Sequence, residues 1–372
     1  MRIFGAVLRS SGTATPYARS QPLAIEELEL DPPGPTEALV LIEAAGVCHS
    51  DLSVVDGSRS RPLPMLLGHE AAGTVVEIGS AVRGLALGQR VVAAFLPRCG
   101  ECPACRTDGR LPCTVGSRAN NAGELIAGGR RLHAADGAVA HHLGVSGFAT
   151  HAVLDARSLV AVGGDVPADI AAVLGCAVLT GGGAVLNVGQ PQPGQTIAIV
   201  GLGGVGMAAL LVARSLPGIN VVGIDSNPDK VQLAVDLGAD SAMIPADAVA
   251  QDFEADVVIE CAGVARAFET AVRMTAIGGR TVSVGLPGPG DEARISPLDL
   301  VAGAREIVGS YLGSAVPSRD IPFYERLWRE GRLPVEKLIS SRIALNEVNA
   351  GLDTLASGAA VRQIIEFPEV AA

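Results

Sequence analysis

Aromatic side chains are scarce in this chain: Phe, Trp and Tyr make up 3% of its 372 residues, with a single Trp. Platforms for stacking nucleic-acid bases therefore have little to be built from. No run of Lys or Arg supplies the cationic face that phosphate neutralisation needs. The formal charge of −11 points the same way, so nucleic acid is not an expected partner. Charged residues are also sparse, at 18% against 48% hydrophobic, which excludes a disordered chain and calls for a large buried core. That core must come mostly from Val, Ala, Leu and Ile, with 46 glycines allowing many tight turns. An uninterrupted apolar run of the roughly 20 residues that cross a membrane is lacking, so no membrane partner is expected. The opening MRIFGAVLRSSG has no charged start, apolar run and cleavage site of a secretory leader. A cytoplasmic protein is expected. In that reducing compartment seven cysteines are not expected to pair as structural disulfides, and they need another explanation.

The length exceeds one typical core and predicts two domains. Up to about residue 175 the chain reads as short β-like runs between turns, among them GAVLR, EALVLIEAAGV, AAGTVVEIG, QRVVAAF and THAVL. This predicts a mostly β domain, with residues 97–150 as irregular loop. From about 177 strands and helices alternate: TIAIVGLGG, VGMAALLVARSL, NVVGIDSN, PDKVQLAVDLG, ADVVIECAG, AFETAVRMTA, GRTVSVGLP. Such alternation predicts an α/β domain with a doubly wound parallel sheet. The alternation fades near 315, where two helical segments and a last strand, VRQIIEF, return to the first domain. The expected division is therefore 1–176 with 318–372, and 177–317.

Cys99, Cys102, Cys105 and Cys113 form C-x2-C-x2-C-x7-C. Four thiolates so closely spaced can converge on one tetrahedral zinc, and a site closed by four sulfurs is structural. Free or disulfide-paired cysteines are the bland alternative. An iron–sulfur cluster is another, since the spacing also opens ferredoxin motifs, although the Cys-Pro ending is missing.

Gly201, Gly203 and Gly206 form G-x-G-x-x-G, enclosing Gly204 and Val205, directly after an apolar strand and before a helical run. That context suits a dinucleotide pyrophosphate at a helix amino end. Asp225 ends the next strand, near the ~20-residue interval at which an acid accepts the ribose hydroxyls. A carboxylate there would repel a 2′-phosphate, which favours NAD over NADP.

Cys48 in GVCHSDL, His69 in LLGHEAAG and Cys176 in LGCAVLTGGG could hold a second zinc with an open fourth position. Spacing alone favours the plainer reading, a packed histidine and two small buried thiols.

Taken together and in order, CHSD, GHEAAGTVVEIG, the CGECPAC quartet and GLGGVG resemble the zinc alcohol dehydrogenases of the medium-chain dehydrogenase/reductase superfamily. The resemblance covers essentially the whole chain. It implies a GroES-like catalytic domain with a zinc lobe near 97–115, a Rossmann-type domain, NAD, and two zinc ions per chain. It implies Cys48, His69 and Cys176 as catalytic zinc ligands, Glu70 as a nearby carboxylate, and Asp51 as the acid orienting the imidazole. Ser50 matches the hydroxyl that takes the substrate proton. Ser53 stands where many relatives end the proton relay with His, so water is expected to complete it. His49 and Arg362 match pyrophosphate contacts, Lys230 an adenosine-ribose contact, and Phe95 and Thr180 the substrate pocket. The implied reaction moves a hydride between NAD(H) and a small alcohol, aldehyde or ketone, in a homodimer or homotetramer. Glutathione-dependent formaldehyde dehydrogenase shares both zinc sites and is the alternative. A zinc-free quinone reductase would lack the cysteines, and a zinc-stabilised binding protein would have no use for Ser50 beside three ligands. Set aside as bland are Cys261 (a packed thiol), His133, His141, His142 and His151 (loop or satisfied core residues), and Arg130 and Arg131 (a solvated tip).

Overall fold

The structure, a computed structural model, describes residues 1–368. By its contacts the chain divides into two units, Met1–Cys176 with Ile339–Ala372, and Ala177–Leu338.

The first unit is mostly β, with short helices between its strands. Strands Arg2–Leu8, Leu23–Leu30, Leu132–Ala134, Gly137–His141 and Met65–Leu66 close a small barrel around Ile3, Val7, Leu28, Leu66 and Val139. A second sheet centres on the long strand Glu37–Val47, which pairs antiparallel with Ala71–Ile78, His151–Asp155 and Arg362–Glu366. The last of these comes from the far end of the sequence. The alternation in EALVLIEAAGV is weak because its side chains are buried almost end to end.

The second unit is a six-stranded parallel sheet. Its order is Ser241–Met243, Asn220–Ile224, Thr196–Val200, Ala255–Glu260, Thr275–Ser283, Glu306–Gly309. Sequence order therefore reverses beside Thr196–Val200, whose neighbours are the second and fourth strands of the unit. In such a sheet the crevice outside that reversal receives the ligand.

Three expectations need correction. The chain leaves the second unit at 338/339 and not at 317/318. The helix Pro317–Arg329 stays with that unit because Tyr324 and Leu327 are buried there, Tyr324 lying hard against Gly182. Residues 97–150 are more regular than expected, holding the helix Thr114–Ala122 and the hairpin Leu132–Ala134/Gly137–His141. Arg131 is no solvated tip: it makes a bidentate pair with buried Glu37, at 2.8 Å to each oxygen. One helical run, Ala168–Gly189, is long and apolar enough to cross a membrane by length and composition. Nearly all of it is buried inside the protein, and Asp169, Thr180 and Asn187 interrupt its apolar reading in the sequence.

Candidate functional site

The four sulfurs of the quartet come together. Cys99 and Cys105 Sγ lie 3.8 Å apart, and Cys102 and Cys113 Sγ 3.9 Å. Sulfurs held at about 2.3 Å from one tetrahedral zinc are separated by about 3.8 Å along each edge, so the quartet fits a single ion. It leaves no room for a multi-iron cluster. The lobe's backbone is wound around the sulfurs: Cys99 N–H and Gly116 N–H donate to Cys113 Sγ at 3.3 and 3.4 Å, and Cys102 N–H to Cys99 Sγ at 3.4 Å. Backbone donors from Cys102 and Glu101 lower the Cys99 thiol, and contact with Thr114 lowers Cys102 to about 5. Burial pushes Cys105 up to about 12. Crowded thiols of this kind share their negative charge unevenly until a cation neutralises them. All seven cysteines are free of disulfides.

Cys48, His69 and Cys176 also converge, from three elements. Cys48 caps the helix His49–Val55 after the strand Glu37–Val47; His69 precedes the strand Ala71–Ile78; Cys176 sits where the long helix widens into a π-turn over Leu174–Val178. Such widenings often mark functional positions, because they re-aim one side chain out of register. Cys176 Sγ lies 3.5 Å from His69 Nε2, against about 3.6 Å for an S–N edge around tetrahedral zinc. All three are buried. The Cys48 thiol is driven well down, first by its hydrogen bond with Cys176 and then by Arg362 and His69; the same bond drives Cys176 up. A buried set of two sulfurs and one imidazole, with one thiol drawn toward its anion, fits zinc with one position left open.

Asp51 fixes the geometry. Its Oδ2 accepts from Cys48 N–H at 3.1 Å, closing the helix cap, and its Oδ1 accepts from Gly68 N–H at 3.1 Å. The same Oδ1 lies 3.2 Å from His69 Nδ1, which leaves Nε2 for the metal. Burial works against this carboxylate's charge, yet His69 and His142 bring its pKa down to about 2. Glu70 is fully buried and pairs with Arg362 at 3.1 Å. Gly46 makes space for it, since a Cβ there would collide with the Glu70 carboxylate. Arg362, expected at the pyrophosphate, is itself buried and also donates to Val47 O at 3.1 Å.

Ser50 is half-buried one residue before Asp51, and His49 is exposed at the start of the helix. Ser53 Oγ donates to His49 O at 2.7 Å, so its hydroxyl is engaged in its own helix. Phe95 is buried with its ring edge-on to His69, centroids 5.5 Å apart. Thr180 follows Cys176 by one turn of the same helical run and is buried.

His142, set aside from the sequence, lies inside this cluster. It is fully buried, its Nδ1 is 3.1 Å from Asp51 Oδ1, and its ring is edge-on to His69 at 5.4 Å. Neighbouring His141 is buried too, accepts from Arg131 N–H at 3.0 Å, and is held neutral by burial at about 3. Neither is the satisfied core residue expected, because the Nδ1 atoms of both make no aligned hydrogen bond.

In the second unit the glycine loop follows Thr196–Val200 and opens the helix Gly204–Arg214, which Gly203 caps. Gly201 has φ +90°, and a Cβ there would strike Ala262. Asp225 is tied to the loop: its Oδ2 accepts from Leu202 N–H at 2.7 Å and its Oδ1 from Asn227 N–H at 2.9 Å. Lys230 lies in the helix Pro228–Asp236 that follows.

A closed four-sulfur centre, an open Cys–His–Cys centre and a glycine loop at a sheet reversal define a zinc-using, nicotinamide-linked oxidoreductase. Comparison with known proteins agrees. Residues 34–164 match the alcohol dehydrogenase GroES-like domain family, and 204–327 the zinc-binding dehydrogenase family. The chain is 32% identical to the class-3 alcohol dehydrogenase of Drosophila melanogaster over 95% of this chain and 97% of that one. It is 30% identical to the S-(hydroxymethyl)glutathione dehydrogenase of a Synechocystis species, over 96% and 100%. The crystal structure of benzyl alcohol dehydrogenase from Acinetobacter calcoaceticus superposes with TM-score 0.89 at 29% identity, covering 99% of both chains. The chain belongs to the zinc-dependent alcohol dehydrogenases of the medium-chain dehydrogenase/reductase superfamily. It is an enzyme that moves a hydride between an alcohol and a nicotinamide dinucleotide, interconverting alcohol and aldehyde or ketone.

Proposed function

We propose that this enzyme oxidises small alcohols with NAD and holds two zinc ions per chain, one structural at Cys99, Cys102, Cys105 and Cys113 and one catalytic at Cys48, His69 and Cys176. The coexistence of a closed and an open tetrahedral donor set carries this reading. Zinc bound at the open set supplies Lewis acidity that lowers an alcohol's pKa. Cys48, His69 and Cys176 hold it; Asp51 keeps His69 aimed; Glu70 and Arg362 balance charge beneath Cys48. Ser50 accepts the substrate hydroxyl proton and passes its own outward. Gly201, Gly203, Gly204, Val205 and Gly206, with Lys230 on the following helix, would hold the dinucleotide, and Phe95 stands beside His69; the pocket role of Thr180 and the pyrophosphate roles of His49 and Arg362 are those the family resemblance implies. A cytoplasmic homodimer or homotetramer completes the reading. The test is NADH formation across a panel of alcohols, with S-hydroxymethylglutathione alongside. A kcat/KM highest for the glutathione adduct would transfer the protein to the function that its Synechocystis relative is named for.

NAD should exceed NADP in kcat/KM. A 2′-phosphate beside Asp225 sets unit charges about 4 Å apart, worth roughly 4 kcal/mol at an effective dielectric of 20, before screening reduces it. Asp225→Gly should narrow the ratio. It should also weaken NAD itself, because the loop loses its tie at Leu202 N. Equal use of both cofactors by the parent enzyme would remove the argument.

Ser50→Ala should lower alcohol oxidation by more than tenfold, general acid–base steps being worth about 10²–10⁴. Ser53→Ala should change little, since that hydroxyl serves His49 O. A Ser50→Ala enzyme matching its parent in hydride-transfer rate at every pH would reduce Ser50 to packing.

A further inference from the structure

The Asp51 carboxylate has two imidazoles on one oxygen, and the reaction uses only one of them. His69 Nδ1 stands 3.2 Å from Oδ1 and His142 Nδ1 3.1 Å from it, with all three side chains buried. The chain builds this arrangement deliberately. Strand Met65–Leu66 pairs parallel with Gly137–His141, Leu66 opposite His141, which brings His142 alongside the turn carrying Gly68 and His69. Ser146 locks it there: its Oγ accepts from His142 N–H at 3.0 Å and donates to Leu66 O at 2.9 Å.

Asp51, His69 and His142 are close enough to pass for a metal site of their own. The chemistry argues otherwise. His69 must carry its proton on Nδ1 to present Nε2 beside Cys176, so it has no lone pair left on the Asp51 side. The cluster is a hydrogen-bonding one. Within it the His142 ring is turned so that its Nδ1 makes no aligned bond, although the oxygen is within reach. The ring has an N–H to place, and the anion within reach of its Nδ1 is Asp51. A small rotation of the ring completes the bond.

We propose that His142 is a positioning residue for the catalytic metal: its Nδ1–H holds Asp51 Oδ1 against His69, and so keeps His69 Nε2 aimed at the ion. Two donors, Gly68 N–H and His69 Nδ1, otherwise hold that oxygen. Without the third the buried carboxylate can swing toward Gly68 and slacken its grip on the imidazole. The inference rests on the two-zinc reading above.

The experiment compares the purified holoenzyme with His142→Phe, which keeps a ring but no donor, and His142→Asn, whose Nδ2 falls near the lost Nδ1. Zinc per chain is measured first, then zinc release to a colorimetric chelator is followed in time. The slow release of structural zinc is the internal control for folding. The expected result is release of the catalytic zinc about tenfold faster from His142→Phe, as for other partners of liganding imidazoles. Release from His142→Asn should stay near the parent rate, and structural zinc should be unchanged in both. Parental release from His142→Phe overturns the proposal. So does parallel acceleration of both zinc pools, or an Asn variant that behaves like Phe. If the parent chain itself holds only one zinc, the two-zinc reading fails and this inference falls with it.

Discussion

Cys48→Ser should abolish alcohol oxidation, by at least about 10³-fold in kcat/KM, and leave the fold standing. A bound Lewis acid contributes several kcal/mol to the transition state, and each 1.36 kcal/mol is tenfold in rate. Cys48 is the thiol that Cys176, Arg362 and His69 drive toward its anion, and a neutral hydroxyl cannot take over that charge. The fold has no such stake. Cys48 occupies the cap of His49–Val55, where serine is a favoured residue, and Asp51 still accepts from the backbone N–H of position 48. Zinc analysis should show one ion fewer per chain, with the melting temperature nearly unchanged. A variant that keeps parental kcat/KM would show that Cys48 is not a ligand.

Cys113→Ser should have the opposite profile. Cys113 is fully buried, receives N–H bonds from Cys99 and Gly116, and starts the helix Thr114–Ala122. Metal binding at structural sites is folding free energy, about 10–16 kcal/mol in small zinc domains. Local opening of the lobe will spare much of that. A residual loss of about 4 kcal/mol still lowers the melting temperature by roughly 10 °C in a domain of this size, at ~2–4 °C per kcal/mol. Calorimetry of the zinc-loaded parent and the variant measures it. Full thermal stability in the variant would mean that the quartet braces nothing.

These two centres were not equally legible in the sequence. The quartet and the glycine loop are local patterns: each places its groups within fifteen residues, so spacing brings the candidates into view, and for the quartet the sulfur distances then favour a single ion over the alternatives. Cys48, His69 and Cys176 are brought together by a strand, a turn and a distant helix. Only the order of several motifs taken together pointed to them. His142 carried no signal, because a barrel strand pairing sets it beside Asp51. The same holds for Arg131 on Glu37 and for the late return of the chain at 339, where buried Tyr324 and Leu327 decide the matter. Apolar texture marks a helix well, but it does not report which core the helix fills.

The strand Arg362–Glu366 pairs with Glu37–Val47, and Arg362 reaches Glu70 beneath Cys48. During synthesis this contact becomes possible only once residue 362 has been made. Residues 177–338, the whole second unit, are made between the first ligands and the strand that completes their sheet. At about 5–20 residues per second that interval lasts roughly ten to thirty seconds. Over that time the nascent chain carries Cys48 and His69 on an unfinished sheet edge, with Glu70 lacking its counter-charge. The four cysteines of the quartet, by contrast, are all made by residue 113, long before that strand.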